Sequence, residues 1–133
     1  MKKLLIIMGI LMVIISCKKE VVPNNGIYRG VFRETDSNGD TLASGVMYLA
    51  LIEDNLQFTV VGDSVSNAPA SHSGMYVVDN KISMQFFYSG NYDTLYDQDH
   101  YLDTIYNYEF DNENFKFWQT RYGKTYTYDL VRD

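Results

Sequence analysis

Few residues of this chain have the types and spacing that chemistry needs. His72 and His100 lack the paired spacing of a zinc site, and there is no HExxH, no Gly-x-Ser-x-Gly elbow and no phosphate-cradling glycine loop. Cys17 is the only cysteine, so no intrachain disulfide is possible. The run Asp36-Ser37-Asn38-Gly39-Asp40 opens like a calcium loop, with oxygen ligands at alternate positions. It has no glycine at the sixth position, however, and Met47 stands where a bidentate glutamate belongs. A plain turn accounts for the same residues. Asp93, Asp97, Asp99, His100 and Asp103 in and beside one long loop are able to gather a divalent cation or simply to solvate the loop. The expectation is therefore a protein that binds rather than catalyses, with no cofactor and no assigned metal. Tyrosine carries most of the binding potential. There are 12, and Tyr88, Tyr92, Tyr96 and Tyr101 surround that same loop. Tyrosine offers apolar area and a hydrogen bond at small entropic cost, which suits sugar or protein binding and equally suits the filling of a barrel.

The elements that must position these residues are strands. Residues 101–132 read as three strands and two turns. A tip at Asp111-Asn112-Glu113-Asn114 sets Phe110 opposite Phe115, Tyr108 opposite Phe117 and Tyr106 opposite Gln119. A two-residue turn at Tyr122-Gly123 sets Gln119 opposite Tyr126, Phe117 opposite Tyr128 and Phe115 opposite Leu130. Opposed residues share a face and neighbours alternate. One face is thus aromatic, and the other places Glu109 beside Lys116 beside Asp129. Earlier strands are expected at about 27–35, 43–53 and 56–62. A two-residue turn at Asn38-Gly39, with both residues at positive φ, pairs Tyr28 with Leu49, Gly30 with Met47 and Phe32 with Gly45. The Asp54-Asn55 turn pairs Leu51 with Phe58 and Leu49 with Val60. Strands at about 71–78 and 81–88 meet at Asp79-Asn80. This turn puts Val77, Ile82, Met75 and Met84 inside, whereas a bulged turn would bring Tyr76 in instead. No segment has helical period.

Residues 1–16 read as a leader, with Lys2 and Lys3 ahead of an apolar run too short to span a bilayer: residues 4–15 make about 18 Å of helix against a core of about 30 Å. The formal charge is −6, and losing Lys2 and Lys3 makes the remainder more acidic, which argues against nucleic acid and anionic lipid headgroups as partners. Ile14-Ile15-Ser16-Cys17 resembles the lipobox of bacterial lipoproteins. The resemblance implies cleavage before Cys17, acylation of its thiol and new amine, and a membrane partner held through that lipid. Residues 17–25 then form a polar tether. Lys18, in place of an aspartate, implies delivery to the outer membrane.

Eight antiparallel strands in sequence, with no helix to cover an open edge, predict an all-β, up-and-down barrel over residues 26–133 in which the first strand closes on the last. Gly26-Ile27-Tyr28-Arg29-Gly30 and Tyr126-Thr127-Tyr128-Asp129-Leu130-Val131-Arg132 give this barrel a likeness to the lipocalin-like (calycin) lipoproteins. Tyr28 stands where true lipocalins carry the tryptophan of Gly-x-Trp. The implied order puts the tight turns at the tether end and the long loops away from the membrane. Inside, Leu51, Phe58, Ile82, Phe110, Phe115 and Leu130 make the tether end apolar. Tyr28, Tyr88, Tyr106, Tyr108, Gln119, Arg121, Lys124 and Tyr126 are the candidate ligand-binding residues, with Arg121 and Lys124 set to meet the anionic head of a small amphiphile. The alternative is a filled barrel that binds a protein or glycan partner through its loop end, with Tyr92 and Tyr96 as contacts.

Overall fold

Short turns with the right chemistry at their tips decide how this chain pairs. In the computed structural model, which describes residues 21–62, 69–93, 95 and 97–133, Tyr122 and Gly123 take φ of 53° and 76°. Positive φ at both central residues matches the twist of the flanking strands, and glycine adopts it without strain. At the other tip the Asp111 carboxylate accepts from the backbone N–H groups of Glu113 and Asn114 at 3.1 and 2.7 Å, an Asx-type closure that any loop ending in strand can use. These two turns deliver the expected register: Phe110 opposite Phe115, Tyr108 opposite Phe117, Gln119 opposite Tyr126 and Phe115 opposite Leu130.

The strands are β1 (Gly26–Thr35), β2 (Thr41–Ile52), β3 (Gln57–Gly62), β4 (His72–Val78), β5 (Ser83–Tyr88), β6 (Ile105–Phe110), β7 (Asn114–Arg121) and β8 (Lys124–Arg132). They hydrogen-bond in sequence order and close as a barrel through β1 and β8, with Gly30 opposite Leu130 and Phe32 opposite Tyr128. The fold is therefore the all-β, eight-stranded, antiparallel up-and-down barrel that the pattern predicts. At the seam Gly30 faces inward, and a Cβ there would stand 2.0 Å from the Asp129 carbonyl oxygen. Absence of a side chain is what lets β1 and β8 approach.

Two turns differ from expectation. Between β1 and β2 only Gly39 has positive φ, at 89°. Asp36 Oδ1 accepts from the N–H groups of Asn38 and Asp40, and the register slips at Glu34 and Thr35. The turn is thus one residue wider than a two-residue hairpin, yet Tyr28, Gly30 and Phe32 keep their predicted partners. Between β4 and β5 the correction is larger. Asn80 Oδ1 accepts from the N–H groups of Ile82 and Ser83 at 2.9 and 3.0 Å, so those amides are used within the turn. The connection lengthens, Val78 pairs with Met84, and the parity of β4 inverts. Tyr76 is buried, whereas Met75, Val77 and Ile82 are 51, 39 and 67% exposed. Met84 remains inside as expected.

The interior is a column of rings. Tyr28 meets Phe115 with centroids 5.4 Å apart, Phe115 meets Phe117 at 4.9 Å, and Phe117 stacks on Tyr128 at 4.4 Å. Tyr128 meets Phe32 at 5.1 Å, and Phe32 meets the His100 ring at 5.0 Å. Phe58, Phe86 and Tyr106 flank the column with centroids 5.0–5.7 Å apart. Aromatic contacts at this spacing add to the burial of apolar area that drives the core together. Inward positions are thus occupied from the end of the barrel where β1 begins to its far mouth.

Candidate functional site

The far mouth is the most elaborate polar region among the described residues. Three strand ends bring Glu34, Arg121, Lys124 and Tyr126 there, and alternation along β1 makes Glu34 the next inward residue after Phe32. The chain between β5 and β6 folds back over this opening. Its 3-10 turn, Gln98–His100, starts with the Asp97 side chain accepting from the Asp99 N–H at 3.0 Å. His100 is then inserted against Phe32 and Tyr126.

Glu34 ties this segment to the wall. Its Oε2 lies 2.7 Å from His100 Nε2, and its Oε1 lies 2.6 Å from Lys124 Nζ. Burial by itself would raise the Glu34 carboxyl, but the hydrogen bonds from His100 and Lys124, with their charge, hold it below the usual range. The same pairing raises Lys124. Asp99 makes a second tie, pairing with the Arg121 guanidinium and accepting from the Tyr126 hydroxyl at 3.0 Å. Burial first, and that bond second, push the Tyr126 phenol up.

His72 makes a third tie from β4. Its Nδ1–H donates to the Ala70 carbonyl, and Nε2 accepts from the Leu102 N–H at 2.8 Å. This pairing requires the neutral ring, and burial lowers the His72 pKa from 6.5 to about 4. Leu102 is fully buried beneath it. Around His72 stand the rings of Tyr88 and Tyr101, with Tyr92 packed on both. Asp103 accepts from the Tyr92 hydroxyl and from the Tyr88 N–H. That hydroxyl bond is the main reason the Tyr92 phenol rises to about 12. Tyr101 accepts from the Asp93 N–H at 2.9 Å.

The predicted site residues are spread along the whole barrel. Tyr28 and Tyr108 lie at the end where β1 begins, donating to the Asn24 and Asn80 carbonyls. Tyr106 is buried in the middle, where Gln119 donates to its hydroxyl at 3.2 Å. Tyr88, Arg121, Lys124 and Tyr126 gather at the mouth. There Arg121 and Lys124 already face Asp99 and Glu34, the places an anionic head would take. Tyr92 packs into the cap and donates to Asp103 while staying 39% exposed, and Tyr96 and Cys17 lie outside the described residues. The acidic run is dispersed among turn and cap bonds: Asp93 accepts from Leu95, Asp97 from Asp99, and Asp103 from the tyrosine pair.

Sequence reasoning missed Glu34, His72 and Leu102. The signal for Glu34 was present, since the spacing Tyr28, Phe32, Glu34 keeps it on the inner face. Its partner His100 is 66 residues away, and no local pattern joins them. Comparison with protein-family models, curated proteins and solved structures returns no match.

Proposed function

We propose that this chain is a lipid-anchored, non-catalytic binding module of the cell envelope, resembling the lipocalin-like lipoproteins in its barrel but making its contacts from outside a filled interior. The observation that carries this reading is the continuous ring column from Tyr28 to His100, closed at the mouth by the Glu34, Asp99 and His72 ties. A barrel that carries an amphiphile keeps room for it, and small barrels otherwise fill with side chains. The outer wall adds support. Met75, Val77, Phe87 and Ile105 are 39–54% exposed on neighbouring strands, and contiguous apolar surface of this kind marks interaction sites.

Anchoring rests on Cys17 and its lipobox. Two or more acyl chains hold a protein firmly to a bilayer, at roughly 0.8 kcal/mol per buried methylene. The polar tether leads into β1 at the tight-turn end, so the capped mouth faces away from the membrane, in the outer membrane if the Lys18 signal is obeyed. Growth with a labelled fatty acid is expected to label the full-length protein and to fractionate it with membranes. Cys17→Ala is expected to lose both label and membrane attachment. Unlabelled wild-type protein, or a Cys17→Ala chain that still partitions into membranes, would sink the anchored reading.

A further inference from the structure

The outer wall of β6, β7 and β8 differs from the mouth in one respect: apart from the Thr120–Thr125 hydroxyl pair at 2.9 Å, several of its polar groups have no partner among the described residues. Trp118, the only tryptophan of the chain, points outward between Asn107 and Thr127. Glu109, Lys116, Trp118, Thr125 and Thr127 line a shallow cleft of about 230 Å³. Lys116 Nζ lies 6.0 Å from the indole centroid, and Asp129 stands across from Lys116. Among the described residues, the indole N–H, the Asn107 amide, the Thr127 hydroxyl and the carboxylates of Glu109 and Asp129 make no hydrogen bond or ion pair. Opposite charges set side by side in register therefore remain open to a ligand, around a half-buried aromatic surface.

We propose that this wall is a saccharide site, with the indole as platform for one face of an uncharged sugar ring. The chemistry of the lining selects that class. A pyranose presents C–H groups on its face, which pack on an aromatic ring, and hydroxyls at its rim. Those hydroxyls donate to carboxylates and accept from amide, hydroxyl, indole and ammonium donors, all of which this wall supplies. Glu109 and Asp129 are set against Lys116 and, across from Thr127, Arg33, so the wall carries no net charge, which suits an uncharged ligand. The surrounding side chains are too polar to form the apolar centre of a protein interface. The cleft is small and open, as suits recognition of one or two sugar units on a longer chain. This site needs only the outer wall, so it stands or falls separately from the filled interior and from the anchor.

A single tryptophan makes the test direct. Full-length protein is titrated with cellotriose, maltotriose and N,N′,N″-triacetylchitotriose while the indole emission is followed. A saturable change in intensity or wavelength with at least one of them is expected. Calorimetry with that sugar should show binding retained in part by Trp118→Phe and weakened by roughly tenfold or more in Trp118→Ala. Glu109→Gln, on an exposed side chain, should also weaken it, and this variant decides the matter if Trp118→Ala does not fold. No saturable change with any of the three sugars would overturn the proposal, as would an affinity unmoved by both Trp118→Ala and Glu109→Gln.

Discussion

Truncating Phe117 to alanine is expected to cost about 3–5 kcal/mol of stability, the range for a buried phenylalanine whose site cannot collapse. Phe117 is fully buried and touches four other rings. Tyr128 lies stacked at 4.4 Å and 6°, and Phe115, Tyr106 and Phe86 lie 4.9–5.5 Å away. The wall around it is a closed ladder of hydrogen bonds, so the strands cannot move inward to fill the space without breaking that ladder. The buried Tyr128 ring would also lose the stacking that holds it. Chemical denaturation measures the effect. Val131→Ala, at a half-exposed position on the outer wall, is the control and should stay within about 0.5 kcal/mol of the parent. Equal losses in the two variants would mean that the ring column does not hold the barrel together.

Acid is expected to release the mouth before it unfolds the wall. His72 is buried neutral, with its pKa at about 4 against an ordinary 6.5. The unfolded chain therefore binds more protons between those values, and stability falls as the pH is lowered through that window, by roughly 3 kcal/mol in total. Protonated His72 has no lone pair to accept the Leu102 N–H, so the loss is localised at the cap. Asp103, whose charge favours the protonated ring, and the uncharged Tyr88, Tyr101 and Phe58 are the groups around it. Glu34 acts in the same direction at lower pH. Its folded value lies below the ordinary 4.5, so its contribution is present above that value and is lost as the pH falls through the folded one. Amide exchange at Leu102 should accelerate from pH 6.5 towards 4 while β7 and β8 amides stay protected. His72→Gln, which keeps an acceptor that does not titrate, should flatten the dependence of melting temperature on pH in that window. An unchanged slope in His72→Gln would assign the effect to other groups.

Much of this barrel was legible because its turns and its alternation are local. Tyr122-Gly123 and the Asp111 tip each determine a register by themselves, and the two agree on which side of β7 is apolar. Closure of β1 on β8 followed from strand count and the absence of a covering helix. The turn between β4 and β5 misled because Asn80 satisfies the amides of Ile82 and Ser83 with its own side chain, and a two-residue count does not see that. A register shift of three residues, an odd number, exchanged Tyr76 for Met75 and Val77, as the two-residue period of a strand requires. The cap over the mouth was illegible for a different reason. Glu34 with His100, Asp99 with Arg121 and His72 with Leu102 are tertiary pairs, and the loop that supplies them reads locally as polar and solvated. Arg121 and Lys124 were correctly placed at the mouth. That they face carboxylates of their own chain is visible only in three dimensions.

Native mass spectrometry of the full-length protein with added palmitate tests the filled interior most directly. The account predicts only the covalent mass of the protein, with no noncovalent adduct at any palmitate concentration that leaves the barrel folded. A stoichiometric complex with one palmitate, weakened by Arg121→Gln or Lys124→Gln, would contradict it and return the mouth to the role of a ligand-binding site.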